Sequence, residues 1–262
     1  MAMNNEKDTR EMEDQEKPSV PKGWGDSGMR PTLNGTGFMF EVLDEFADDY
    51  IQYAASVDAP VLEVGCAYGV ASLPALAAGA TVTACDLDQG HLDILRESAP
   101  EDQRHRLECV QGALPGVDFP ANHFGAVLCS RVLHFLDGSA VDASVRKMYR
   151  WLQPGGRIYL VADTPYGIWR KFIPVFEARR ARGDRWPGLM IALENYLPQV
   201  PADRPIKGPP FMNLLDTELL SRTCEEAGFQ VQRASFIDRS DFAGMGRMDG
   251  RENAGVMAIK PA

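Results

Sequence analysis

The sequence predicts an α/β fold built on a mainly parallel sheet, and three observations carry that reading. From Pro60 onward, short apolar runs rich in β-branched residues alternate with helix-length stretches. The first of these runs ends in a turn of small residues, Gly65-Cys66-Ala67-Tyr68-Gly69. A chain of 262 residues with 45% hydrophobic content supplies one sizeable core, which fits a single α/β domain with an insertion better than two independent domains.

Taken in order, strands are predicted over 60–64, 81–85, 106–110, 125–130 and 157–162, with helices over 70–78, 89–98 and 139–152 between them. Strand–helix–strand units of this length close right-handed and place the strands parallel. Gly155 and Gly156 stop the third helix. Residues 164–215 break the rhythm with eight prolines, two of the four tryptophans and a basic run of Arg179, Arg180, Arg182 and Arg185. They are expected to form a cap over the sheet edge. A helix over 217–227, ended by Gly228, precedes two strands near 229–236 and 254–260. With no helix-length stretch between them, those two strands are expected to pair antiparallel.

Ahead of the alternation, residues 1–28 are polar and mixed in charge and are expected to be a disordered tail. Residues 29–57 are expected to be a helical segment, because Phe40, Leu43, Phe46, Tyr50 and Tyr53 recur at three- and four-residue spacings. The domain proper is then 58–262, with 164–215 as the inserted cap.

The formal net charge of -10 argues against a nucleic-acid partner, which needs clustered Lys and Arg. No apolar run is long enough to span a bilayer and no secretory leader appears, so neither a membrane partner nor export is expected and the cytoplasm is the expected location. The five cysteines form no C-x-x-C pair and suggest no metal site. Cys85, Cys109 and Cys129 lie in or beside predicted strands and read as buried thiols.

The chemistry centres on Val61-Leu62-Glu63-Val64-Gly65-Cys66-Ala67-Tyr68-Gly69. A strand runs into a tight turn and then a helix, at the strand's carboxyl end, where ligands bind in open α/β sheets. The glycine spacing departs from the dinucleotide fingerprint G-x-G-x-x-G. Glu63, two residues before the first glycine, is a poor neighbour for a pyrophosphate and a good one for a cation. Asp86 ends the second predicted strand 17 residues after Gly69, where a carboxylate can accept from both hydroxyls of a ribose.

This loop resembles the E/D-x-G-x-G-x-G pattern of the class I S-adenosylmethionine-dependent methyltransferases, with Ala67 in place of the middle glycine. Two further stretches, Asp118–Leu136 and Tyr149-Arg150-Trp151-Leu152-Gln153-Pro154-Gly155-Gly156-Arg157, resemble the same family in its order and spacing. The resemblance covers residues 58–163 well and the C-terminal strand pair more loosely. It implies a Rossmann-like, seven-stranded mixed sheet with helices on both faces, and S-adenosylmethionine as cofactor. Glu63 would hold the methionine amine, Gly65, Cys66, Ala67 and Gly69 the methionine backbone, and Asp86 the ribose. Leu87, Gly112, Ala113 and Leu114 would border the adenine, and Ser130 and Arg131 would line the cofactor from the fourth strand. Many members have an acid at the position of Ala113, so adenine recognition here falls to backbone and apolar walls.

The acceptor is expected to be a small organic molecule, taken by a monomer or homodimer. His134, after the fourth predicted strand, and Asp163 with Tyr166, after the fifth, are the candidate catalytic residues, with packing as the alternative for His134. His91, His105 and His123 read as solvated, and the Arg179–Arg185 run as a solvated helix face or an anion clamp. Aromatic residues of the cap, among them Trp169 and Trp186, are expected to wall the acceptor pocket, with packing of the cap's own core as the alternative. The rival functions are a cofactor-binding protein without transfer activity and an NAD-dependent oxidoreductase.

Overall fold

The computed structural model describes residues 19–23, 28–197, 209–242 and 246–262. The tail expected over 1–28 therefore lies outside the described residues, apart from 19–23 and 28. A short antiparallel hairpin opens the structure, β1 (Met29–Pro31) with β2 (Phe38–Phe40). Helix α1 follows over Glu45–Ala54. This corrects the helical segment expected over 29–57. The Asp44 carboxylate accepts from the Phe46 and Ala47 amides, which fixes the start of the helix there. Phe40 belongs to the strand before it.

The central sheet has seven strands. Five are parallel: β3 (Val61–Val64), β4 (Val82–Asp86), β5 (Leu107–Gln111), β6 (Phe124–Ser130) and β7 (Leu152–Asp163). Strand β11 (Asn253–Ile259) runs antiparallel between β7 and β10 (Gln230–Ile237), so the order across the sheet is β10-β11-β7-β6-β3-β4-β5. The predicted alternation is thus recovered, as is the antiparallel C-terminal pair.

Period-two burial explains why the sheet is covered on both sides. Leu62, Val64, Val127, Cys129, Ile158 and Leu160 pack into one core with α4 (Gly138–Trp151) and α6 (Thr217–Ala227). Their strand neighbours Val61, Ala126, Leu128 and Tyr159 pack into a second core with α1, α2 (Ser72–Ala77) and α3 (Gln89–Ser98). Burying each large side chain contributes about 1.5–3 kcal/mol, and a one-residue slip of any strand would exchange the two faces.

The segment 164–215 holds helix α5 (Ile173–Ala181) and a two-stranded ribbon, β8 (Leu189–Ile191) with β9 (Phe211–Asn213). Tyr166, Trp169, Phe172 and Phe176 are buried in the α4–α6 core, and Trp186 and Tyr196 pack against it. The arginine run is neither free nor merely solvated. Arg180 pairs with Asp216 and Glu218, and Arg185 with Asp142 and Glu226, which ties the segment to α4 and α6. Among the described residues, no helix is long and apolar enough to cross a membrane.

Candidate cofactor and acceptor site

The turn after β3 is locked to β4. The amides of Gly65 and Cys66 both donate to the Cys85 carbonyl, at 2.8 and 3.2 Å, and Gly69 N–H donates to Cys66 O at 2.8 Å. Ala67 N–H donates to Asp86 Oδ2 at 2.9 Å. Four amides of the loop are thus spent inside the protein, so the turn offers no amide cradle of the kind that holds a phosphate. Gly65 and Gly69 have φ of +76° and +86°. A Cβ on Gly65 would lie 2.2 Å from Val132 Cγ2, and one on Gly69 would lie 2.1 Å from Leu95 Cδ1. Gly69 therefore serves the seating of α3 rather than the cavity wall. Ala67 takes φ +43°, a conformation that the glycine of the family pattern adopts without strain.

A cavity of about 530 Å³ opens beside this loop. Eleven of the predicted cofactor residues line it: Glu63, Gly65, Cys66, Ala67, Asp86, Leu87, Gly112, Ala113, Leu114, Ser130 and Arg131. Glu63 is 6% exposed and accepts a hydrogen bond from the Ser72 hydroxyl. Burial pushes its carboxyl up to about 7 against the help of Ser72. A buried carboxylate without a cationic side chain beside it is the chemistry that a ligand ammonium would satisfy. Asp86 is 5% exposed. Besides Ala67 N–H it accepts from Asp88 N–H and from His91 Nδ1, each at 2.9 Å, so three acceptor positions of its two oxygens are in use and a fourth remains for a ribose hydroxyl. Burial raises the Cys66 thiol well above its ordinary range, which removes it as a nucleophile.

The other wall is the β1–β2 hairpin, which supplies Thr32, Gly37, Phe38, Met39 and Phe40, facing Phe135 and Leu136. It is pinned by the Tyr68 hydroxyl, which donates to Pro31 O at 2.8 Å, and by Leu33 N–H, which donates to His91 Nε2 at 2.9 Å. At the cavity's edge Arg131 has φ +58° and stands over the Phe40 ring at 4.9 Å. Its Nη2 donates to Asn253 Oδ1 at 2.9 Å and to Asp44 Oδ2 at 3.4 Å.

The three candidate catalytic residues do not line the cavity. His134 is 2% exposed, and its Nδ1 accepts from Asp163 N–H at 3.0 Å. Burial lowers its proton affinity. Asp163 Oδ1 accepts from Asn253 Nδ2 at 2.8 Å, so it reaches the site through Asn253 and Arg131. The Tyr166 hydroxyl donates to the carboxylate of Glu177, an exposed residue of α5. Of the cap, only Pro209 and Pro210 among the described residues reach the cavity wall. The expectation that the cap aromatics wall the pocket is corrected accordingly: their rings are used in packing the α4–α6 core. The expectation of a solvated His91 is also corrected, because that ring is 1% exposed and bonded at both nitrogens.

The comparisons with known proteins agree with the resemblance of this loop to the class I methyltransferases. Residues 61–156 match the family model described as a methyltransferase domain. A cypemycin N-terminal methyltransferase of Streptomyces sp is 33% identical over 107 residues, which is 40% of this chain; the matched stretch spans 42% of that relative's length. A glycopeptide N-methyltransferase structure with bound S-adenosylmethionine aligns over 82% of this chain and 87% of its own, at 22% identity and a TM-score of 0.54. A methyltransferase structure from Methanosarcina mazei aligns over 84% and 98%, at 16% identity and a TM-score of 0.59. Residues 61–156 thus match a methyltransferase domain, carried on the fold that these methyltransferase structures share.

Proposed function

We propose that this protein transfers the methyl group of S-adenosylmethionine to an amine of a small organic or peptide-like acceptor. The observation that carries the reading is one cavity with two unlike ends. Glu63 and Asp86 are buried beside the Gly65–Gly69 turn, while Phe38, Phe40 and Phe135 form an apolar wall under the hairpin. The amine class is supported by the two relatives whose names specify N-methylation.

The cofactor supplies a methyl carbon already activated by its positive sulfur. Glu63 would hold its ammonium, Asp86 its ribose, and Leu87 and Leu114 the faces of its adenine. The reaction asks little acid–base chemistry of the protein. The acceptor nitrogen's lone pair forms the new N–C bond as the C–S bond breaks, and the nitrogen then releases a proton. The protein's contribution is alignment and exclusion of water, which the apolar wall and the hairpin above it can provide. Arg131 would orient the acceptor side, with Asn253 and Asp44 holding its guanidinium.

The test is incubation with methyl-labelled cofactor and a panel of acceptors: amines, phenols, carboxylic acids and short peptides with a free N-terminus. Label transfer to the amines or peptides is expected. Transfer only to oxygen would overturn the amine reading, and binding of S-adenosylhomocysteine without transfer to any acceptor would favour a cofactor-binding role.

A further inference from the structure

We propose that His91 is a positioning residue that latches the β1–β2 hairpin onto Asp86, the carboxylate assigned to the cofactor's ribose. The proposal rests on the assignment of Asp86 to the ribose. His91 sits in the first turn of α3, whose N-cap is Asp88. Its ring is 1% exposed and stands edge-on to Tyr68 at 5.0 Å between centroids. Nδ1 lies 2.9 Å from Asp86 Oδ1 and Nε2 lies 2.9 Å from the Leu33 amide.

These two partners fix the ring's protonation. An ionised carboxylate can only accept, so Nδ1 carries the proton. A backbone amide can only donate, so Nε2 is the bare nitrogen. His91 is thereby a neutral relay with one direction. Its N–H holds Asp86 in the orientation that leaves an acceptor position toward the cavity, and its lone pair holds the loop that bridges β1 and β2.

The bond to the hairpin spans 58 residues of sequence, whereas the hairpin's own turn is local. Gly35 N–H donates to Thr32 O at 3.0 Å, and Thr32 N–H to Gly37 O at 3.0 Å. The Tyr68 hydroxyl, from the turn after β3, also donates to Pro31 O of the hairpin. Occupancy of Asp86 by a ribose and closure of the hairpin over the cavity would therefore share one side chain. A cofactor that steadies Asp86 steadies the cover, and a seated cover slows the cofactor's departure.

Leu33 offers a clean perturbation. It is the first central residue of the Thr32–Gly35 turn, and neither it nor Asn34 has positive φ, so the turn is of the unprimed kind that accepts proline at that place. Leu33→Pro deletes the donor and leaves His91 and Asp86 untouched. His91→Asn keeps a side-chain N–H near Asp86 but is too short to reach Leu33. His91→Gln reaches Leu33 with its carbonyl and gives up Asp86.

The experiment measures S-adenosylhomocysteine affinity by calorimetry, its dissociation rate by stopped flow, and hydrogen exchange at the Gly35 and Gly37 amides with and without the ligand. Leu33→Pro and His91→Asn are each expected to release the ligand about three to ten times faster, the worth of one neutral hydrogen bond. Ligand should protect the hairpin amides in the wild type and fail to do so in these variants. The double variant should be no worse than either single one, because both remove the same bond. His91→Gln should bind more weakly while keeping ligand-free hairpin protection.

Wild-type dissociation rates in both single variants would overturn the latch, and so would additive effects in the double variant. If His91→Asn fails to fold, Leu33→Pro decides the question alone. If the wild type binds no S-adenosylhomocysteine at all, the cofactor assignment falls and the latch with it; if the wild type binds and the variants are unchanged, only the latch falls.

Discussion

Cofactor affinity should depend on pH through Glu63. The perturbation is a change from about pH 8 to about pH 6, and the structure sets its size. Burial holds the Glu63 carboxyl at about 7 in the ligand-free protein, so its ionised fraction falls from roughly nine-tenths to roughly one-tenth across that range. If the ionised form holds the ligand's ammonium, the apparent affinity for S-adenosylhomocysteine falls about tenfold over the same interval. The sign for stability is opposite. The folded carboxyl keeps its proton up to about 7 while the unfolded one releases it near 4.5, so the folded state binds more protons within this window. Stability of the ligand-free protein therefore declines as pH rises from about 4.5 to about 7. Calorimetric titrations at several pH values, run in parallel on Glu63→Gln, read both effects. The variant should bind more weakly at the upper pH and show a flatter profile. A wild-type affinity that is flat from pH 8 to 6, or a profile unchanged in Glu63→Gln, would refute the placement of the ligand's ammonium at this carboxylate.

Three other outcomes follow from packing and from the cavity wall. Gly69→Ala must accommodate a methyl 2.1 Å from Leu95 Cδ1 at φ +86°, and melting should drop by roughly 5–15 °C; adding Leu95→Ala should restore part of this and not all, since the backbone strain remains. Trp186 packs against Gly138 and lies near the Arg185 and Arg222 guanidinium groups, so Trp186→Ala should cost on the order of 2 kcal/mol in denaturant unfolding and leave cofactor affinity intact by calorimetry. Phe38→Ala, on the hairpin wall, should lower methyl transfer at least tenfold in a labelled-cofactor assay while changing cofactor affinity less than threefold; full turnover would place the acceptor elsewhere.

The sheet was legible because its central strands β3, β4 and β6 are buried on both faces and read as mainly apolar runs, while its helices carry a clear three-to-four spacing. β4, predicted over 81–85, is found at Val82–Asp86, and the helix predicted over 139–152 is found at Gly138–Trp151. The cavity wall beside the Gly65–Gly69 turn was legible for a related reason: a turn of small residues between strand and helix has few conformations, so the order of Glu63, Gly65 and Asp86 in the chain was enough to bring them to one cavity. The hairpin wall was not. Strands of three residues, such as Met29–Pro31 and Phe38–Phe40, are too short to show a period, and Phe40 was absorbed into the helical spacing of the residues after it. His91 looked solvated because its chain neighbours are polar, yet Asp88 caps α3 and turns residue 91 back toward Asp86. The aromatics of 164–215 could have faced a ligand or a core, and sequence carries no sign of which. Their burial against α4 and α6 is a matter of tertiary fit.

The hairpin's place in the chain has a bearing on synthesis. Residues 29–40 leave the ribosome before the surfaces that hold them, since Tyr68, His91 and Arg131 are all made later. Until the turn that carries Tyr68 has emerged, the nascent hairpin lacks these partners, and an isolated two-stranded ribbon is marginal in water. One wall of the cavity is therefore built by a segment that must wait, exposed, for the rest of the domain to be delivered to it.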